Sequence, residues 1–191
     1  MVQTIQASVI PLDELALRFG LQEVEDDQFF REWQDNLPEI TDLEKQILDR
    51  VKAGYLNLFK TPPLLENAVI MAVLSPVLFF ADFYLYPFHI NSEKSVRVSA
   101  EDEGVIVEGK IDVYVLFQQL WVMVIESKQA AFSIEAGLAQ ILAYMLANPN
   151  PDQPSFGMIT TGGSFIFIKL VKGETPQYAL SDEFVLRFPR E

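Results

Sequence analysis

The sequence predicts a mixed α/β protein in which helices pack on a central β-sheet of mixed strand direction. Three observations support this fold class. Apolar residues follow helical spacing from residue 42 to residue 80, extended runs begin at Phe83, and helical spacing returns between Ser133 and Ala147 before two further extended runs. The predicted order of elements is therefore helix, helix, strands, helix, strands.

Length and composition limit the class of protein. The chain has 191 residues, of which 50% are hydrophobic, and its fifteen Phe, six Tyr and two Trp exclude a mostly disordered chain. A chain of this size commonly forms one core, so we predict a single domain over residues 1–191. Cysteine is absent and His89 is the only histidine, which argues against disulfides, thiolate metal sites and Ser/His catalysis.

The first forty residues are predicted to be an acidic lead-in. Glu23, Glu25, Asp26 and Asp27 form a charge run that is typical of a solvated face. No signal-type segment opens the chain, so we expect an unexported, cytoplasmic protein. The apolar run from residue 68 to residue 81 is shorter than the ~20 residues of a spanning helix, which predicts a buried helix and no membrane partner.

Two helices are predicted before the sheet. Thr41 and Glu44 form a capping-box pattern at the start of a helix from about Asp42 to Phe59, with Leu43, Ile47, Leu48, Val51, Tyr55 and Leu58 on its apolar face. The prolines at 62 and 63 end it. A second helix, apolar almost all round, runs from about Leu64 to Phe80 with a kink or break at Pro76.

The strands follow from alternation and from β-branched or aromatic runs. We predict extended segments at Tyr84–His89, Lys94–Ser99, Gly104–Phe117, Leu120–Ser127, Phe156–Thr161 and Phe165–Val171. Gln118-Gln119 is the predicted tip of one hairpin, and Gly162-Gly163 is the predicted turn of another. The run from residue 120 is apolar throughout, as in a strand covered on both faces. A helix over Ser133–Ala147 ends at the prolines of Asn148-Pro149-Asn150-Pro151.

Three charged residues lie in the otherwise apolar first hairpin. They are Asp112, Glu126 and Lys128. Because side chains alternate along a strand, Glu126 and Lys128 share a face. Simple pairing about the 118–119 turn sets Ile111 across from Glu126, so Asp112 is within one register step. Two converging carboxylates repel each other unless a cation lies between them, and Mg²⁺ (or Mn²⁺) with an adjacent lysine provides the means to hydrolyse a phosphodiester.

This arrangement resembles the PD-(D/E)xK nuclease superfamily, which includes many restriction endonucleases and the RecB-like exonucleases. Gln140 and Tyr144 resemble the QxxxY motif of the RecB-like members, and residues four apart share one helix face. The phrases LPEITDLEKQILDRVKAGYLNLF, GKIDVYV and VIESK also resemble small cyanobacterial proteins described as type I restriction enzyme R-subunit-like. The resemblance implies a restriction endonuclease-like fold, with residues 108–172 as the nuclease core.

The resemblance also implies roles for individual residues. Asp112 and Glu126 would be metal ligands, with the carbonyl of Ser127 as a third, and Lys128 would be the catalytic lysine. Gln140 and Tyr144 would position the phosphate or the metal. Glu66 is the candidate for the carboxylate that many members carry on the preceding helix, and Glu44 is a weaker second. The chain departs from the family pattern at Gly109-Lys110-Ile111, where a proline often precedes the aspartate, and at Gln129, where a base often follows the lysine.

Net charge leaves the function open between several classes. The formal net charge is −13, which opposes unaided binding to DNA, although residues 108–172 hold five acids and four bases and are nearly neutral. The main expectation is a metal-dependent nuclease acting on DNA, and a nuclease for short or single-stranded ends is a variant of it. The alternative is a non-catalytic module that binds a partner protein in a restriction or defence complex. The ring-rich run between Phe79 and Phe88 would suit a core or a homodimer face.

Overall fold

The protein is described by a computed structural model that covers residues 3–61, 64–100, 104–117, 137–186 and the backbone of 120–127. It is a mixed α/β protein. Nine strands are described: β1 (Gln3–Gln6), β2 (Gln22–Glu23), β3 (Phe88–Ala100), β4 (Val105–Phe117), β5 (Leu120–Ser127), β6 (Ser155–Thr160), β7 (Ser164–Val171), β8 (Gln177–Leu180) and β9 (Phe184–Val185). The helices are α1 (Leu12–Phe19), α2 (Asp42–Phe59), α3 (Glu66–Val69), a π-helical turn (Ile70–Leu74), α4 (Ser75–Phe80) and α5 (Leu138–Leu146).

Helix α2 has the predicted bounds, and its N-terminus carries both hydrogen bonds of a capping box between Thr41 and Glu44. The rest of the chain covers little of its apolar face: Tyr55 is the one residue of the helix that is fully buried, and Leu43 is exposed. Local signals thus determine where α2 begins and ends, but not how much of it the rest of the chain covers. None of the described helices is long and apolar enough to cross a membrane.

The second predicted helix is interrupted near Pro76, as expected. The backbone N–H of Ser75 bonds to the carbonyl of Ile70 in a π-helical turn just before the proline. A proline cannot donate to the carbonyl four residues earlier, and the wider turn accommodates that loss. The expectation of burial all round is wrong, since Met71 is 70% exposed and Phe79 is 60% exposed.

The predicted strand over Tyr84–His89 is wrong for its first four residues. The chain leaves α4 through Asp82, which has the left-handed φ of 60°. The N–H of Phe83 bonds to the carbonyl of Leu78, and the N–H of Leu85 to that of Asp82. These turn hydrogen bonds occupy the backbone until β3 begins at Phe88, which leaves Tyr84 and Tyr86 exposed rather than in a core.

The strands form one mixed sheet in the order β1-β4-β5-β6-β7-β8-β2, with β3 on the other edge of β4 and β9 beside β7. The two predicted hairpins, β4–β5 and β6–β7, are present and antiparallel. Gly162 makes the second turn possible with a φ of 81°, whereas residues 118–119 lie outside the described residues. Strand β5 pairs on both edges, antiparallel to β4 and parallel to β6.

Residues predicted to be a lead-in contribute to the sheet. β1 pairs parallel with β4, and β2 pairs parallel with β8, with α1 between them. The acidic run that follows β2 is exposed, as predicted.

The largest core cluster lies between one face of the sheet and α5, every residue of which is buried. The C-terminal end of α5 is as predicted. Residues 133–136 of the predicted helix lie outside the described residues. The opposite face packs on the π-helical turn and α4 through Leu74, Leu78, Val113 and Val115.

Candidate functional site

A gap along one edge of β4 marks the candidate site. On that edge β1 pairs with Val105–Glu108 and β5 pairs with Val113–Phe117, which leaves residues 109–112 between the two partners. β1 is parallel to β4 and β5 is antiparallel to it, so their carboxyl ends approach this gap from opposite directions. β6 runs parallel to β5 and brings its own carboxyl end beside Ser127. In α/β sheets, crevices where strand ends diverge in this way are common ligand sites.

The strand register brings Asp112 and Glu126 together. Near the turn Leu116 pairs with Trp121, but beyond a bulge Val115 pairs with Met123 and Val113 with Ile125. Continuing that register by one residue sets Asp112 across from Glu126. The simple pairing, with Ile111 across from Glu126, is therefore wrong by one residue, because β5 carries an extra residue at the bulge.

Alternation counted from Tyr114 places Asp112 on the sheet face that α5 covers. Glu126 is in register with Ile159 of β6, and Ile159 belongs to the core cluster under α5. Tyr114, two residues beyond Asp112 on β4, belongs to the same cluster. Because residues two apart on a strand share a face, Asp112 is placed on the α5 face. Its side chain is neither fully buried nor fully exposed.

The pleat of β4 is irregular at Asp112. Ile111 and Tyr114 both pack in the cluster under α5, although residues three apart in a regular strand point to opposite faces. The residue of β3 that lies opposite Asp112 in the β3–β4 register is Glu93, whose φ is 60°. Such irregularities re-aim side chains and are enriched at functional sites. Counted from Tyr114, Asp112 then shares the α5 face with Ile111, its neighbour along the strand.

Gln140 and Tyr144 are adjacent on α5 and buried. The amide of Gln140, which is 8% exposed, donates a hydrogen bond of 2.8 Å to the hydroxyl of Tyr144, which is 2% exposed. The Tyr144 ring lies against the backbone of Gly109, where a Cβ atom would be 2.7 Å from its hydroxyl oxygen. Tyr144 therefore reaches the gap along the edge of β4 at Gly109. Gly109 is three residues from Asp112, roughly 10 Å along the strand.

The remaining predicted ligand, the carbonyl of Ser127, lies at the end of β5. Ser127 is in register with Thr160 at the carboxyl end of the strand. Lys128 and Gln129 lie outside the described residues. Among the described side chains, no group of three or more His, Cys, Asp or Glu residues could hold a metal ion. The side chain of Glu126 is not among those described.

The two candidate accessory glutamates have different environments. Glu66 is exposed and begins α3, whose Val69 lies against the Gly162 turn that follows β6. This places the start of α3 at the same end of the sheet as Ser127. Glu44 instead serves α2: its carboxylate accepts hydrogen bonds of 2.7 Å from the Thr41 N–H and 2.6 Å from the Thr41 hydroxyl. Those bonds lower the pKa of Glu44.

Lys94 is a cation at the site that sequence reasoning missed. It is in register with Ile111, and Val96, two residues further along β3, is buried under α5. The Lys94 ammonium lies 5.3 Å from the centroid of the Tyr114 ring. Alternation along β3 could have placed Lys94 on this face only if the β3–β4 register had been known.

The other basic residues nearby belong to a separate cleft of about 640 Å³ on the opposite face of β3 and β4. Arg97 is paired there with Glu108 at 3.0 Å, and Lys110 with Glu93 at 3.0 Å. The amide of Gln6 is a second donor to the Glu108 carboxylate, at 2.9 Å. These cations are neutralised by acids and contribute little net positive charge.

Other polar and aromatic residues have structural roles. His89 lies in β3 and is exposed, and Trp33 packs edge-on against Phe184 with ring centroids 5.9 Å apart. Thr160-Thr161-Gly162-Gly163 is a turn, in which the Thr160 hydroxyl accepts a 2.9 Å hydrogen bond from the N–H of Gly162.

Comparison with protein-family models finds no match to this chain, and comparison with curated proteins finds no relative.

Proposed function

We propose that the protein is a divalent-metal-dependent nuclease of the PD-(D/E)xK class, with a restriction endonuclease-like fold, that hydrolyses phosphodiester bonds of DNA. The observation that supports this best is the register that sets Asp112 across from Glu126 in a gap between strand ends. Gln140 and Tyr144 on the covering helix, and the start of α3 with Glu66 at the same end of the sheet, are consistent with it.

The donor set suits Mg²⁺ or Mn²⁺. Both are hard ions that accept carboxylate, carbonyl and water oxygens, and Mg²⁺ commonly uses one or two carboxylates from the protein. In this proposal Asp112 and Glu126 hold the ion with the Ser127 carbonyl. When bound, such an ion polarises a phosphoryl oxygen and lowers the pKa of a coordinated water.

The chain's own residues then orient and activate the reactants. Lys128 holds or deprotonates the attacking water, and Lys94 adds positive charge on the same sheet face. Gln140 and Tyr144, fixed by their mutual hydrogen bond, position the phosphate against the gap. Net charge near zero over residues 108–172 lowers the electrostatic barrier to DNA there relative to the rest of the chain.

Cleavage of plasmid and single-stranded DNA tests the proposal. Asp112→Ala and Lys128→Ala should each reduce cleavage by at least about a hundredfold while the melting temperature hardly changes. Glu108→Gln is the matched control, because Glu108 is a carboxylate on the same strand but on the opposite face, bound to Arg97. Equal activity in Asp112→Ala and wild type would contradict the proposed site, and a large drop in melting temperature would mark Asp112 as structural.

The second candidate function is a nuclease-like module that binds a partner protein without cleaving DNA. The net charge of −13 favours it, since strong negative charge opposes DNA and suits a basic partner. Salt separates the two candidates: a phosphate binder loses DNA affinity steeply as salt rises, and a protein-binding module need not bind DNA at all.

A further inference from the structure

An aromatic cavity lies on the sheet face opposite α5, away from the candidate site. Its volume is about 550 Å³, and its apolar lining comes from Phe30, Trp33, Leu37, Phe156, Phe167 and Phe184. The rings of Trp33 and Phe167 both meet Phe184 edge-on, at centroid distances of 5.9 and 5.8 Å. Leu37 is 60% exposed and Phe184 is 42% exposed, so the cavity is open at the surface.

An acidic cleft adjoins this cavity. It has a volume of about 230 Å³ and shares Phe30 and Trp33 with the aromatic cavity. Five carboxylates line it, those of Glu23, Glu25, Asp26, Asp27 and Asp182. Within the described residues, no basic side chain lines it. Two basic residues near the cavity are paired with acids: the Lys169 ammonium is 2.6 Å from the Glu32 carboxylate, and the Arg31 guanidinium is 2.6 Å from the Asp35 carboxylate.

The charge next to the cavity selects the occupant. Nucleic acid and anionic lipid surfaces are repelled by the five carboxylates, and a second copy of the chain would bring the same charges against them. A basic protein segment is attracted. The cavity adds a site for an apolar side chain of that segment, and aromatic pockets with a polar rim are where interface affinity concentrates.

We propose that the aromatic cavity and the acidic cleft together form a docking site for a basic segment of a partner protein, with one or two apolar anchor residues in the cavity and Lys or Arg residues along the cleft. The proposal is independent of the nuclease activity, because none of these residues lies at the gap in β4.

Selection of random peptides displayed on phage against the wild-type protein tests this proposal. Enriched peptides should combine an aromatic or large aliphatic residue with neighbouring Lys or Arg. A synthetic copy of the most enriched peptide should bind wild type and Asp112→Ala equally, and at least about tenfold more weakly to Trp33→Ala. Asp26→Asn with Asp27→Asn, which keeps the cavity intact, should also weaken binding and reduce its dependence on salt.

Three results would overturn the proposal. The first is selection that enriches no sequence above a control without the protein, or enriches acidic or uncharged sequences. The second is equal binding to wild type, Trp33→Ala and the double Asn variant, which would place the peptide elsewhere. The third is a wild-type dimer in light scattering that Trp33→Ala converts to monomer, which would make a second copy the occupant. Circular dichroism of each variant confirms that it is folded, and Trp33→Phe is the conservative control.

Discussion

Replacement of Gly109 by alanine should displace Tyr144 from the candidate site. A Cβ atom at Gly109 would lie 2.7 Å from both Cε1 and the hydroxyl oxygen of Tyr144, and 3.1 Å from the Cβ of Ala7. Ordinary contact begins at 3.4 Å. The Tyr144 ring must therefore move by about 0.7 Å or more, since repulsion rises steeply below contact distance.

Tyr144 has little room for this movement, because it is buried and its hydroxyl accepts a hydrogen bond from Gln140. Overpacking costs about 1–3 kcal/mol, and loss of the hydrogen bond costs about 1 kcal/mol. The reduced freedom of the unfolded chain offsets about 0.4–1 kcal/mol. We expect a net loss of about 1–3 kcal/mol in the free energy of unfolding, together with loss of DNA cleavage.

Urea denaturation of the wild type, Gly109→Ala, Tyr144→Leu and the double variant measures this coupling. Because leucine removes the crowded atoms, Gly109→Ala should cost less in the Tyr144→Leu background. Gly157→Ala is the matched control: its Cβ would lie 2.7 Å from the Met145 sulfur on the same helix, a flexible thioether that can move away. Additive costs in the double variant, or an unchanged Gly109→Ala protein, would refute the reasoning.

Three further predictions concern stability. Gly20 ends α1 with a φ of 63°, and no atom lies within 4 Å of the place that a Cβ would take, so Gly20→Ala should cost about 1 kcal/mol in urea denaturation through backbone strain alone; no change would contradict this. Asp82 follows α4 with a φ of 60°, so Asp82→Gly should raise the free energy of unfolding by about 1 kcal/mol. A lower free energy of unfolding would show that the Asp82 side chain contributes more to stability than its backbone strain costs. Burial of the phenol, and to a smaller extent the nearby Glu23 carboxylate, raise the pKa of Tyr178 from 10.0 to about 12. The folded state therefore holds this proton more tightly, and its stabilising effect, complete below pH 10, should be lost as pH rises through about 12. Tyr178→Phe should lessen that fall, and identical pH profiles would count against it.

Local signals account for the elements that the sequence predicts well. The capping box at Thr41 and the prolines after α2 act over a few residues. β-branched runs define the two hairpins, and the second of them has a glycine turn. These signals are visible in the sequence because the interactions they describe lie within one turn of helix or one hairpin.

Long-range contacts account for what the sequence could not predict. β1 has four residues without a strong apolar pattern, and its place in the sheet depends on pairing with β4 a hundred residues later. The bulge that moves Asp112 across from Glu126 depends on which residue of β5 is left unpaired, which alternation alone does not specify. The exposure of Met71 and Phe79 depends on how the helices cover the sheet, not on their own spacing.

Isothermal titration of Mg²⁺ and Mn²⁺ into the wild type, Asp112→Ala and Glu108→Gln, with DNA cleavage measured on the same samples, tests the central claim most directly. We predict that the wild type and Glu108→Gln bind the ion and cleave DNA, and that Asp112→Ala does neither. Ion binding and cleavage that are the same in Asp112→Ala and wild type, or absent from all three proteins, would contradict a metal-dependent nuclease at the gap in β4.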